Sequence, residues 1–178
     1  MFLVDLRVLS DSTYLDPALD VFTDIVANPS FPDASFNRIF DGAQIGQQQK
    51  KQSPSAQAGI LFYQQLYGNH PYAHPSSGTA DSLKKIKTDD LKSFHQQYFV
   101  AQNATITMIG DITDERAKAI AEKITSQLPQ GQAAPQQVAV PPLIKAVHKH
   151  ISFPSQQTHI MMGQASMRRD DKDYDAMY

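Results

Sequence analysis

Six histidines and no cysteine make imidazole the first chemistry to look for in this chain, and a His/carboxylate metal site its first possible form. His148 and His150 are one residue apart, so on a strand both would face the same way and could share one metal. His159 could add a third ligand only if a second strand paired alongside, and a polar solvent face with incidental histidines accounts for the pair without a metal. His70 and His74 have the i, i+4 spacing of a helical zinc motif, but Pro71 and Pro75 bar a regular helix there, so the expected role is loop packing. The absence of Cys removes disulfides, thiolate zinc sites and thiol nucleophiles together and leaves the redox compartment open.

The carboxylates are as selective as the histidines. Of 18 Asp and Glu residues only Glu115 and Glu122 are Glu, so the first 114 residues contain none. The pairs Asp89-Asp90 and Asp170-Asp171 fall at helix starts, where capping and the helix dipole explain them without catalysis. No Gly-x-Ser-x-Gly elbow marks a nucleophile, and the eight dispersed Gly form no phosphate loop; Gly110-Asp111 reads as a turn. No catalytic residue, metal ligand or substrate-binding residue can be named from these patterns.

Elements that would position such groups follow from periodicity. Residues 2–9 alternate as a strand with one wet face, and residues 103–110, 146–153 and 158–163 give three more strand candidates. Helices are expected over 15–28, with Pro17 in the first turn and Pro29 past the end, over 33–52, and from Ser53-Pro54 to a Gly68-Asn69 stop. Two short helices follow at 79–86 and 88–99, each entered through a Thr cap, then one at 113–128, and a last one starts at Asp170. Gly42 and Gly46 lie one turn apart inside the second helix, where close approach of another helix or backbone would explain them. Residues 129–142 carry no charge and are rich in Gln, Ala and Pro, the composition of a linker.

With 178 residues, 41% hydrophobic and 19% charged, the chain has enough apolar material for a core and too much for pervasive disorder. A net charge of -2 without a Lys/Arg block argues against a nucleic-acid or anionic-membrane surface, and no apolar run is long enough to span a membrane. The start, Met1-Phe2-Leu3-Val4-Asp5, lacks the basic region of a signal peptide and abuts strand-like sequence, as if cut from something longer.

Several pieces in order resemble the pitrilysin/insulinase family of zinc peptidases, which includes the mitochondrial processing peptidases and bacterial zinc-protease homologues. They are Leu15-Asp16-Pro17-Ala18-Leu19 with Asn28-Pro29-Ser30-Phe31-Pro32, Leu66-Tyr67-Gly68-Asn69-His70-Pro71-Tyr72, and Gly78-Thr79-Ala80-Asp81-Ser82-Leu83. Asp90-Leu91-Lys92-Ser93-Phe94-His95-Gln96-Gln97-Tyr98 and Asn103-Ala104-Thr105 to Gly110-Asp111 complete the set. The resemblance implies an α+β unit, an antiparallel sheet covered by helices, truncated at both ends: residues 1–128 the later part of a first unit, 129–142 the linker, 143–178 the start of a second.

Family enzymes hold zinc with His-x-x-Glu-His on one helix and a Glu from a later helix, the motif's Glu activating the zinc-bound water. The first motif would lie upstream of Phe2. The resemblance puts the later ligand on the 33–52 helix, where Gly46 stands at the ligand position and Ile39 at the other acidic one; Gln44, Gln47 and Gln48 are neutral amides, and Asp41 is about five residues too early. The expectation is therefore a non-catalytic unit with no cofactor of its own, forming part of a peptide-binding chamber beside a catalytic subunit or second half that carries the zinc. The alternatives are a piece of an active zinc endopeptidase with an unusual ligand, and an interaction module that no longer holds peptides. The resemblance leans toward the periplasm or cell envelope, with the cytoplasm possible.

Overall fold

The computed structural model describes residues 2–177, and within them the chain is helical: α1 Ser12–Ala27, α2 Asp33–Lys51, α3 Pro54–Tyr67, α4 Ala80–Leu83, α5 Thr88–Tyr98, α6 Asp114–Ser126 and α7 Tyr174–Met177. Three-residue 3-10 turns at Pro71–Ala73 and Ala101–Asn103 complete the elements. Chain contacts divide the protein into two packing units, one of Met1–Asn37 and Ile86–Gln136, the other of Arg38–Lys85 and Gln137–Tyr178.

The expected α+β class with an antiparallel sheet is overturned, since no strand occurs among the described residues. Apart from Asn103, which ends the second 3-10 turn, the four strand candidates have no regular structure; Leu3 is 82% exposed, Ile109 96% and Met162 95%. Alternating apolar residues show that a segment could cover one face of a sheet, but a strand exists only when a neighbour takes its N–H and C=O groups. No described segment does so for these four.

The first unit is built on the α1–α6 pair. Leu19 on α1 and Ile120 and Ile124 on α6 are buried, with Leu15, Phe22, Ile106, Met108 and Ile112 packed around them. Removing such a side chain from water contributes roughly 1.5–3 kcal/mol each. Two ion pairs, Arg116 with Asp16 and Lys123 with Asp20, flank the seam on exposed side chains, where each adds little.

The capping chemistry explains the boundaries. Asp11 accepts from the Thr13 N–H at 2.8 Å and starts α1 three residues before the expected Leu15, which places Pro17 inside the helix rather than in its first turn. The Thr13 hydroxyl and amide hold the Asp11 carboxyl below the usual carboxylate range. That cap is therefore at full strength above the ordinary Asp range and is lost as pH falls through the lowered value. The Thr113 hydroxyl accepts from the Arg116 amide to start α6, whereas α5 is capped from Lys87, whose N–H donates to Asp90 at 2.8 Å, so Thr88 is the first helical residue and not the cap.

The charge-free segment after α6 does not run free. The Ala101 amide donates to the Pro129 carbonyl at 2.9 Å and the Ala134 amide to Asn103 Oδ1 at 2.7 Å. At Gly131 the chain turns with φ +63°, and a side-chain carbon there would sit 2.4 Å from buried Val100, so only glycine permits this contact.

In the second unit Ser53 caps α3, Pro54 occupies its first turn, and Gly68 ends it at φ +57°, where the Gly68 N–H reaches the Gln64 carbonyl. His70 caps a short 3-10 turn within the loop expected to hold a fixed path without regular structure. Leu66, His70 and Ala73 are the buried residues of this corner. No described helix is long and apolar enough to cross a membrane.

Candidate functional site

Helix α2 is where the family resemblance puts the later zinc ligand. Its first-turn Asp33 accepts from the Thr88 hydroxyl at 3.2 Å, and its C-terminal Lys50 bonds to Ser77. Ile39, Gly42 and Gly46 recur at helical spacing along one stripe. Ile39 is 62% exposed, and a side-chain carbon added at Gly42 or Gly46 would meet nothing within 4 Å. The close approach expected at the two glycines is thus absent, and open space takes its place.

Of the glutamines nearby, Gln47 is already committed: its amide donates to the Ser77 and Gly78 carbonyls at 3.0 and 3.2 Å. Asp41 is exposed. Zinc chemistry needs several deprotonated or imidazole donors converging on one point, and among the described residues no group of three or more His or acidic side chains does so. The residues of α2 do not fit zinc.

Three of the six histidines do meet, though not as ligands. A concavity of about 520 Å³ in the second unit is lined by α3 and by the extended stretches 147–153 and 157–161, and His148, His150 and His159 all contribute. The expected strand that would have aligned His148 and His150 is missing, and all three rings are solvent-exposed. From α3 come Gln57, Leu61, Phe62 and Gln65; opposite them stand Ile151, Ile160 and Met161. The lining mixes apolar side chains with amides, imidazoles, hydroxyls and Lys149 and contains no carboxylate, a composition that can hold an apolar or backbone-presenting ligand.

His70 and His74 part company. His74 is exposed, while His70 is 5% exposed and bonded through both ring nitrogens: Nδ1 accepts from the Tyr72 amide at 3.1 Å and Nε2 meets the Val138 carbonyl at 3.0 Å. His95 on α5 makes a similar tie, Nε2 to the Val26 carbonyl at 2.8 Å, with its ring stacked on Phe99. Neither long-range tie was readable from spacing; the only hint at His70 was Pro71, a residue that favours the first position of a helical turn.

The acid pairs serve local structure. Asp89 pairs with Lys92 and Asp90 caps α5; Asp170 takes a two-pronged contact from Arg168, and Asp171 accepts from the Asp173 amide. Glu115 lies in the first turn of α6, and Glu122 is exposed on that same helix.

Comparison with known proteins gives a consistent picture. Residues 85–178 match the family described as peptidase M16 inactive domain. The crystal structure of a peptidase M16 inactive domain from Pseudomonas fluorescens aligns at a TM-score of 0.73 and 36% identity, over 75% of this chain and 32% of that one. A Helicobacter pylori protein named non-peptidase homolog YmxG is 26% identical over 67% of this chain and 28% of its own length. A Rickettsia felis protein named as an uncharacterized zinc protease is 24% identical over 71% of this chain and 30% of its own. The chain thus spans less than a third of the length of these relatives.

Proposed function

Because this chain belongs to the peptidase M16 family and matches its inactive domain, we propose that it forms a non-catalytic wall of a peptide-holding chamber whose zinc is supplied elsewhere. The zinc-peptidase resemblance read from the sequence and the family match agree, and a non-catalytic unit fits both better than a piece of an active endopeptidase. Zinc belongs to the catalytic members of the family. One observation carries the reading: the helix expected to present the later ligand carries Ile39, Gly42 and Gly46 on an open stripe.

The ligand in this reading is an unfolded or extended polypeptide. The concavity along α3 supports it, because Leu61, Phe62 and Ile160 offer apolar contacts while Gln57 and Gln65 offer amides to a peptide backbone. In the complete protein, residues 1–128 would close a first unit, 129–142 would link, and 143–178 would open a second. The partner would be a catalytic subunit or a distinct half of the same assembly, and the compartment the periplasm or cell envelope.

Peptide binding to the complete polypeptide, followed by fluorescence anisotropy with a labelled unstructured peptide, tests this. Binding that weakens about tenfold or more in Phe62→Asp supports the groove. Unchanged binding in that variant places the peptide elsewhere, and peptide cleavage by the polypeptide alone overturns the non-catalytic reading. Cell fractionation that recovers the protein only from the cytoplasm would reject the envelope assignment.

A further inference from the structure

We propose that His70 is a proton-sensitive latch that holds the 137–142 segment against the α3 corner. The hydrogen-bond partners fix the ring's chemistry without reference to any measured proton. Tyr72 offers a backbone N–H, which can only donate, so Nδ1 must be the bare, accepting nitrogen. Val138 offers a carbonyl, which can only accept, so Nε2 must carry the hydrogen. Only the neutral Nε2–H tautomer satisfies both. An imidazolium has no acceptor, so charging the ring and keeping the Tyr72 bond are mutually exclusive.

Among the described residues, none of the ring's stacking or hydrogen-bond partners carries a counter-charge. Tyr67 faces it from α3 with ring centres 6.1 Å apart, and Tyr72 faces it from the 3-10 turn at 4.7 Å. The 129–142 segment contributes no charged residue, and neither stretch 42–80 nor stretch 123–169 contains an acid. With the ring 5% exposed, a proton on it would be a buried charge without a partner. The ring would leave its site, uncapping the 3-10 turn and freeing the Val138 carbonyl in one event. The sign is fixed: the neutral ring belongs to the latched state, so the latch holds at higher pH and opens as pH falls.

The released segment matters because it runs directly into residues 147–153, which line the concavity along α3. Loosening it changes the wall of that groove, whatever the groove holds. His95 supplies an internal contrast, since its tie to the Val26 carbonyl uses only a donor and survives charging.

Nitrogen-detected NMR of the full chain tests the latch directly. At about pH 8 the His70 ring should show the Nε2–H tautomer with an unprotonated Nδ1. Lowering the pH to about 5 should cut protection of the Tyr72 amide, which donates to the ring, by about tenfold, after correction for intrinsic exchange. His70→Gln keeps an amide donor for Val138 and cannot take a proton, so its protection should show no such step. An Nδ1–H tautomer in the unsubstituted chain, or the same pH step in His70→Gln, overturns the proposal.

Discussion

In the first packing unit α1 and α6 meet through Leu19, Ile120 and Ile124, an aliphatic seam that asks only for shape and burial. Among the described residues the second unit has no comparable seam. Its buried residues gather at the end of α3, where Leu66 and Ala73 are buried together with an imidazole that bonds through both nitrogens, and α2 buries none of its residues. The difference teaches what each unit is sensitive to: the first to lost volume, the second to a proton or an unmade hydrogen bond.

The contrast can be broken most severely by Ile120→Ala. Loss of that side chain from the seam should cost about 2–5 kcal/mol in urea unfolding, with the signal confined to the first unit by hydrogen exchange. A cost below about 1 kcal/mol would mean that the seam is not what holds α1 to α6.

In the second unit His70→Ala should cost about 1–3 kcal/mol, because it leaves the Tyr72 amide and the Val138 carbonyl without their partner. His74→Ala, at an exposed position four residues on, should be nearly neutral in the same thermal scan. Equal losses from the two would erase the distinction between them.

Gly42→Ala and Gly46→Ala sharpen the comparison in the opposite direction. Both lie inside α2 with open space around them, so each should stabilise by about 1 kcal/mol, read as a raised melting temperature. Gly68→Ala, at φ +57°, should instead destabilise by about 1 kcal/mol. Smallest of all, Asp20→Asn should change stability by less than about 1 kcal/mol and less still in high salt, since the Lys123 pair is exposed.

The helices were legible because their hydrogen bonds close within four residues. Ser53-Pro54, Gly68 and Thr113 therefore marked true ends, and Pro17 misled only because Asp11 extended α1 upstream. The strand candidates were not legible in the same way. Alternation along 103–110 states what a sheet could bury, while the ladder itself depends on residues that no local pattern names.

At the candidate site, the missing carboxylate on α2 was readable from composition, since no Glu precedes Glu115. The close packing expected at Gly42 and Gly46 was not, because a glycine in a helix reports only that a side chain is absent and says nothing of the neighbour. His70 read as loop packing from Pro71 and Pro75; its tie to Val138, 68 residues away, is a product of folding alone.

The zinc content of the complete natural polypeptide, purified without added metal and measured by elemental mass spectrometry, tests the non-catalytic reading most directly. No bound zinc, with the metal found instead in a co-purifying subunit, is the result expected from an α2 that offers Gly46 and Ile39 in place of acids. About one tightly held zinc per chain would contradict it and require a ligand other than any group on that helix.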